Sequence, residues 1–169
     1  GNPSIYEPGL ESLVKKNMKT GRLKFTDSFT DEIKKSQIIL IAVGTPTQKD
    51  GHAHLRYVFS AAKQIAPFLS GYTVVVNKST VPVGTARQVA SILAKNHKNA
   101  DFDVASNPEF LRERSAIEDF MRPNRVVIGV DSARAKKNHP APTPLGRKHP
   151  LTARSRSSNG CLLYTSPSP

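Results

Sequence analysis

Hydroxyl and carboxylate side chains cluster in three short segments of the sequence. The first is Val43-Gly-Thr-Pro-Thr47, the second is Lys78-Ser-Thr-Val-Pro-Val-Gly-Thr85, and the third is Ser106-Asn-Pro-Glu-Phe-Leu-Arg-Glu113. Hydroxyl groups bind polar ligands and water, and a carboxylate within hydrogen-bond reach of a water molecule can act as a general acid or base. These segments are therefore the candidate functional site.

The first two segments also have a purely structural interpretation. Gly44 is suited to a turn that ends a strand, and spacing alone favours that interpretation over ligand binding through Thr45. In the second segment, Ser79, Thr80 or Thr85 is suited to cap a following helix. If a ligand binds there instead, the amino-terminal NH groups of that helix face it.

The third segment contains two carboxylates, Glu109 and Glu113, four residues apart. On a helical turn they share one face and repel each other. Either both stay solvated, which is the ordinary outcome for this spacing, or one of them is held near a polar ligand, a water molecule or Arg112.

Apolar runs precede all three segments and predict the elements that position them. Residues 37–43, 73–77 and 102–106 are continuous apolar or β-branched runs that predict strands buried on both faces, and residues 125–130 resemble them. Helical spacing over residues 55–69 and 85–96 predicts crossover helices. We also predict a helix after Pro8, a capped helix at residues 30–35 and a short strand at residues 23–26. The fold class is α/β, with a doubly wound, mostly parallel sheet that binds ligands at the carboxyl ends of its strands.

Composition divides the chain into a folded domain at residues 1–131 and a disordered tail at residues 132–169, whose last residues read as non-native sequence. Seven of the 25 Lys and Arg residues and none of the 13 Asp and Glu residues fall in that tail, so the net charge of +12 is largely a tail property. Basic residues scattered in this way argue against nucleic-acid binding. The lone cysteine, Cys161, argues against a metal site and fits a cytoplasmic protein, and no apolar run predicts a membrane span.

Five segments, in the same order and spacing, resemble the UDP-glucose 6-dehydrogenase family. They are residues 5–10, 41–46, 78–85, 105–113 and 122–129, and the resemblance covers about three quarters of the chain. It implies an incomplete Rossmann-like domain that binds NAD. It also implies a fragment of an enzyme that oxidises UDP-glucose to UDP-glucuronate in two steps and is inactive on its own. The alternatives are a fragment of a GDP-mannose or UDP-N-acetyl-hexosamine dehydrogenase, or a non-catalytic binding module.

The resemblance also implies roles for individual residues. The adenosine side of NAD is bordered by Val43, Gly44, Thr45, Pro46 and Thr47. The cofactor is also contacted by Ser79, Thr80 and Val81, and Thr80 helps to position the reactive water. The general acid or base is Glu109, and the sugar nucleotide is lined by Glu109, Phe110, Leu111, Arg112 and Glu113. Glu113 also reaches the nicotinamide side.

The sequence departs from the family pattern in several places. We expect the glycine-rich turn for the pyrophosphate to lie before Gly1, and the cysteine nucleophile and the elements of the family's homo-oligomer to lie downstream, since Cys161 lacks the neighbours of that motif. The strand at residues 37–43 is then an exposed apolar edge, and NAD affinity is weak or nil. His54 stands where the family pattern has an acidic residue. Arg114 replaces a glycine, which is unfavourable if that position needs a left-handed backbone or a close approach of the substrate.

Overall fold

Helices and strands alternate along the chain, as the apolar runs predict. The computed structural model describes residues 6–28, 30–49, 51–123, 125–138, 153–155 and 161–165. In this part of the chain the helices are α1 (Leu10–Lys19), α2 (Thr30–Lys35), α3 (Arg56–Ile65), α4 (Thr85–Asn96), α5 (Ala116–Met121) and α6 (Ala133–Asn138), with a 3₁₀ turn at Ala66–Phe68. The strands are β1 (Ile38–Ile41), β2 (Thr73–Asn77), β3 (Phe102–Ser106), β4 (Arg125–Val130), β5 (Ala153–Ser155) and β6 (Cys161–Thr165).

The strands form one mixed sheet in the order β1-β2-β3-β4-β6-β5. Strands β1, β2 and β3 are parallel, and their registers place Ile39 opposite Val75 and Val75 opposite Val104. Helix α3 connects β1 to β2, and α4 connects β2 to β3, which are the crossovers that parallel strands require. Strand β4 is antiparallel to β3, and β6 and β5 continue the sheet in antiparallel pairs.

Two apolar clusters cover the two faces of the sheet, because successive side chains of a strand point to opposite faces. On one face, Val75 packs with Val58 and Ala62 of α3 and with Val89 and Leu93 of α4. On the other face, the cluster consists of Val74, Val76, Ala105, Ile128, Val130 and, from α6, Ala135. Strand β2 contributes to both clusters and is buried along its whole length.

The predicted strand at residues 23–26 does not form. These residues have no regular secondary structure, and Phe25 is 64% exposed. A strand needs the backbone of a neighbour, and none of the described strands pairs with this segment. Strand β1 is therefore the first strand of the sheet, as predicted, and Leu40 on it is 59% exposed.

The folded region continues past Asp131, where we predicted its end. Helix α6 places Ala135 in the core, and Arg134 Nη2 donates to Asp101 Oδ1 at 2.7 Å. The Arg134 guanidinium also lies 3.9 Å from the centre of the Tyr72 ring. These long-range contacts, which composition does not reveal, fix the helix. Strands β5 and β6 fall within the predicted tail, and the prediction of disorder for residues 139–152, 156–160 and 166–169 lies outside the described residues.

The buried end of α4 gives a direct test of the core. We expect Leu93→Ala to lower the free energy of unfolding by about 2–5 kcal/mol, because Leu93 is fully buried and its truncation leaves a cavity. The matched control is Leu13→Ala on α1, a helix with no buried residue, where Leu13 is 45% exposed; we expect a change within about 0.5 kcal/mol. Urea unfolding of both variants measures the difference, and equal losses would contradict this core.

Among the described residues, no strand pairs with the outer edge of β1, and this edge predicts self-association of the chain. An unpaired apolar edge strand accepts the backbone of another molecule, and a lysine at the edge opposes that pairing. We expect Leu40→Lys to reduce concentration-dependent association in analytical ultracentrifugation. Val83→Lys is the control, because Val83 is an apolar residue with 91% exposure that lies outside the strands. An equal effect of both substitutions would show that general surface charge is responsible.

Candidate functional site

The three predicted segments meet at the carboxyl ends of β1, β2 and β3. Strand β1 ends at Ile41, β2 ends at Asn77 and β3 ends at Ser106, so each segment begins within two residues of the end of a strand. Two backbone hydrogen bonds join them: Lys78 donates its NH to the Ile41 carbonyl at 2.8 Å, and Asn107 donates to the Asn77 carbonyl at 2.9 Å. The loop after β2 therefore lies between the other two.

Side-chain hydroxyls link the loop after β1 to the loop after β2. Ser79 Oγ donates to the Val43 carbonyl at 2.7 Å, and Thr45 Oγ1 donates to the Thr80 carbonyl at 3.0 Å. Sequence reasoning offered Thr45 to a ligand and Ser79 to a ligand or a helix cap. In the structure both hydroxyls hold the two loops together.

The beginning of α4 also differs from the capping interpretation. Gly84 is the N-cap residue with a left-handed φ of 94°, and no side chain caps the helix. Thr85 Oγ1 donates back to the Pro82 carbonyl at 2.8 Å instead. A left-handed N-cap is accessible to glycine without steric cost, and glycine has no side chain to pair with the helix NH groups. The amino-terminal NH groups of α4 are therefore not used by a capping side chain.

A buried asparagine links the loop after β2 to the loop after β3. Asn107 is 5% exposed, and its Nδ2 donates to the Val127 carbonyl of β4 at 2.8 Å. Its Oδ1 accepts from Lys78 Nζ at 3.2 Å. Burial lowers the pKa of Lys78, and the negative charge of Glu109 opposes that lowering. Sequence reasoning missed Asn107 as a contact residue and missed the side chain of Lys78.

Glu109 and Glu113 do not share a helical face. Residues 107–112 have no regular secondary structure, residues 113–114 form a turn, and α5 begins at Ala116. Pro108 gives a reason, because the residue before a proline is kept out of the helical region. Residues 109–114 are exposed. The interpretation of the two carboxylates as helical neighbours was therefore wrong.

Arg112 pairs with Asp119 of α5 rather than with either glutamate. Its Nη2 lies 2.7 Å from Asp119 Oδ1, and its Nε and its backbone NH lie 3.1 and 2.9 Å from Asp119 Oδ2. The hydrogen bond from the Arg112 side chain lowers the pKa of Asp119 to about 2. The loop after β3 is therefore anchored to α5 as well as to the sheet.

A cavity of about 200 Å³ lies beside the loop after β2 and the amino terminus of α4. It is mainly apolar, with lining residues that include Asn77, Ser79, Val81, Gly84, Ser106 and Pro108; Thr80 and Glu109 are outside the lining. The Asn77 side chain is buried, and both polar atoms of its amide are without a hydrogen-bond partner among the described residues. A polar residue at the end of the apolar run 73–77 was the available sequence signal for it.

The described residues contain no group of three or more His, Cys, Asp or Glu side chains that could hold a metal ion. In the same part of the chain, no helix has the length and apolar character needed to cross a lipid bilayer.

Comparison with known proteins identifies the family. The family model described as "UDP-glucose/GDP-mannose dehydrogenase family, NAD binding domain" matches residues 1–141. The chain belongs to this family. It is 54% identical over 134 residues to the UDP-glucose 6-dehydrogenase of Rhizobium meliloti (strain 1021), a match that covers 79% of this chain and 31% of the relative.

Solved structures agree with the assignment. A UDP-glucose dehydrogenase from the archaeon Pyrobaculum islandicum is 46% identical, with a TM-score of 0.76 over 80% of this chain and 32% of that protein. The GDP-mannose dehydrogenase of Pseudomonas aeruginosa is 35% identical, with the same TM-score over 80% of this chain and 33% of its own. The predicted Rossmann-like fold is confirmed, and the chain spans about a third of the length of these relatives.

NAD is the cofactor of this family's domain, and several features of the described residues fit it. Helix α4 begins at the carboxyl edge of the sheet with its NH groups uncapped by side chains, and a mainly apolar cavity lies beside its amino terminus. Gly44 has open space where a Cβ would stand, so a ligand can approach the backbone there.

Both departures from the family pattern have a structural counterpart. His54 Nδ1 accepts a hydrogen bond of 3.3 Å from the backbone NH of Arg56, in the first turn of α3. Arg114 has a φ of 64°, in the left-handed region, and is the non-glycine residue of the described chain with this conformation. The backbone at this position is therefore left-handed, which is one of the two reasons considered for a glycine there.

The conformation of Arg114 predicts a stabilising substitution. A left-handed backbone costs a residue with a Cβ about 1–2 kcal/mol, and a glycine relieves this strain. The larger conformational entropy of glycine in the unfolded state offsets part of the gain in stability. We expect Arg114→Gly to raise the free energy of unfolding by about 0.5–1 kcal/mol in urea titrations. Arg122→Gly is the control, because Arg122 has a φ of −135° and offers no strain to relieve. A loss of stability in Arg114→Gly would contradict the strain.

Proposed function

We propose that this chain is the part of a UDP-glucose 6-dehydrogenase that binds NAD and positions the acid/base groups of the reaction. The observation that carries the proposal is the junction at the carboxyl edge of the sheet, where hydrogen bonds join the loop of Thr80 to the loop of Glu109 and to the loop of Thr45. The identity of 54% to the Rhizobium meliloti enzyme supports the choice of activity.

The reaction converts the C6 alcohol of UDP-glucose into a carboxylate, which is a four-electron oxidation in which water supplies the second oxygen. NAD, when bound, accepts each hydride. The residues that border its adenosine side in this proposal are Val43, Gly44, Thr45, Pro46 and Thr47. The hydroxyl of Thr45 is bonded to the Thr80 carbonyl, so we propose that Thr45 fixes the conformation of this loop. The exposed backbone of Gly44 then contacts the cofactor.

Thr80 and Glu109 are the residues that act on water. Thr80 is exposed, and its carbonyl holds the junction with Thr45, so its hydroxyl is outside that contact. Ser79 and Val81 flank it and border the cofactor. Glu109 is also exposed, and it serves as general acid or base if its carboxylate comes within hydrogen-bond reach of the reactive water.

The residues that follow Glu109 line the sugar nucleotide. Phe110 and Leu111 are 52% and 37% exposed, which leaves apolar surface next to the proposed site. Because Asp119 holds both the guanidinium and the backbone NH of Arg112, we propose that Arg112 shapes the lining of the sugar-nucleotide site. Glu113 reaches the substrate and the nicotinamide side.

A GDP-mannose or UDP-N-acetyl-hexosamine dehydrogenase is the rival assignment within the family. The lower identity of 35% to the Pseudomonas aeruginosa GDP-mannose dehydrogenase favours UDP-glucose. A non-catalytic binding module is the rival outside enzyme function. The proposal includes a homo-oligomer in the cytoplasm, as the resemblance to the family implies.

A chimera tests the activity. Residues 6–131 of this chain replace the matching segment of the Rhizobium meliloti enzyme, and NADH formation is followed with UDP-glucose, GDP-mannose and UDP-N-acetylmannosamine. We expect activity with UDP-glucose and none from the 169-residue chain alone. Preference for another sugar nucleotide would select the rival dehydrogenase. A folded chimera that is inactive with all three would favour the non-catalytic module.

The chimera also tests Glu109. We expect Glu109→Gln to lower kcat about 10²–10⁴-fold, the usual contribution of a general acid or base. Glu118→Gln is the matched control, because Glu118 is a 65% exposed glutamate on α5 that pairs with Arg122. Undiminished activity in Glu109→Gln would remove Glu109 from the proposed mechanism.

A further inference from the structure

The loops of Thr80 and Glu109 begin with two residues that touch each other. Lys78 lies two residues before Thr80, and Asn107 lies two residues before Glu109. Lys78 Nζ donates to Asn107 Oδ1 at 3.2 Å across the gap between the loops. This contact is a side-chain link between the two loops that carry the proposed acid/base groups.

The orientation of the Asn107 amide is fixed by its other hydrogen bonds. Its Nδ2 donates to the Val127 carbonyl of β4 at 2.8 Å, and its backbone NH donates to the Asn77 carbonyl of β2 at 2.9 Å. An amide whose NH₂ group is bound on one side presents its oxygen on the other. The acceptor for the Lys78 ammonium therefore has one position, and Lys78 is drawn toward the loop of Glu109.

The charge of Lys78 is held in a half-buried position at Asn107, in the loop of Glu109. Lys78 and Glu109, both in the described part of the chain, form no direct ion pair, so their interaction acts through space. Burial lowers the pKa of Lys78, and Glu109 is the charged group that opposes the lowering. In a partly desolvated position such an interaction is screened less than on the open surface.

We propose that Lys78 is a positioning residue for this site, because its ammonium group, held by Asn107, keeps the Glu109 loop at a fixed distance from the Thr80 loop and places a positive charge at Asn107, two residues before Glu109. Its relevance to the reaction rests on the function proposed above. In that function Thr80 and Glu109 contact the same water molecule, and two loops that drift apart cannot do so. A neutral donor would supply the link without the charge.

The charge interaction is measured on the full 169-residue chain by NMR titration of the Lys78 side chain. We expect Glu109→Gln to lower the pKa of Lys78, because a nearby negative charge favours the protonated amine. Glu118→Gln is the control and leaves the titration unchanged. An unchanged pKa of Lys78 in Glu109→Gln, or the same change in both variants, would overturn the proposed charge interaction between Lys78 and Glu109.

The link between the loops is measured by amide hydrogen exchange. We expect Lys78→Met to raise the exchange rate of the Asn107 NH about tenfold or more, the factor that corresponds to losing a hydrogen bond from a charged group. The NH of Val74, bonded to the Gln37 carbonyl at 2.9 Å in the sheet, is the internal reference and stays protected.

Two further variants separate donor from charge. Lys78→Arg keeps the hydrogen-bond donor and the positive charge, and we expect the Asn107 NH to stay protected in this variant. Lys78→Gln keeps a donor and loses the charge. Unchanged protection in Lys78→Met, or equal acceleration at Asn107 and Val74, would overturn the positioning role. Neither measurement needs NAD or substrate, so an inactive chimera leaves these results readable and refutes the proposed function separately.

Discussion

The complete burial of strand β2 is the constraint on which the rest of the structure depends. All of Thr73–Asn77 is buried, since β1 and β3 pair with its two edges and apolar clusters cover its two faces. A shift of one residue in its register would move every side chain to the opposite face. The loop after Asn77 therefore has a fixed origin, and the loops after β1 and β3 are bonded to it.

Two buried asparagines at the ends of neighbouring strands differ in whether their side-chain amides have hydrogen-bond partners. Asn107 has hydrogen bonds for its amide oxygen and its amide nitrogen, so it contributes to the structure of the junction. Asn77 has none among the described residues, and an unpaired buried amide costs about 1–3 kcal/mol. Native structures rarely retain such a group without a reason. Asn77 is among the residues that line the cavity, so this uncompensated cost falls at the candidate site.

The sequence predicted the elements whose pattern is local. Continuous apolar runs indicated β1, β2 and β3, and helical spacing indicated α3 and α4, because burial imposes the periods of two and 3.6 on these segments. Pro67 shortened the predicted helix at residues 55–69, since α3 gives way to a 3₁₀ turn that contains this proline. The predicted strand at residues 23–26 failed because strand formation depends on a neighbour that local sequence does not specify.

The sequence predicted where the site lies in the fold, but it did not predict the hydrogen-bond partners of the site residues. Three loops at the carboxyl edge follow from the strand pattern, whereas the partners of Ser79, Thr45 and Lys78 lie 29–36 residues away in sequence and depend on how the strands align. The left-handed backbone at Arg114 was one of two reasons considered for the glycine of the family pattern, and the structure has that conformation. Hydroxyl-rich loops alone do not reveal whether a hydroxyl binds a ligand or another loop.

Glu109 lies between two anchors of different kinds. On the strand side, Asn107 is buried and bonded to β2, to β4 and to Lys78. On the helix side, Arg112 is bonded through its backbone and its guanidinium to Asp119. A short segment with both ends fixed can expose a carboxylate and still limit where it moves, which general acid/base chemistry requires. The left-handed backbone at Arg114 lies two residues after this segment. The hydrogen bonds of Asn107 and Arg112, on either side of Glu109, hold the segment in place.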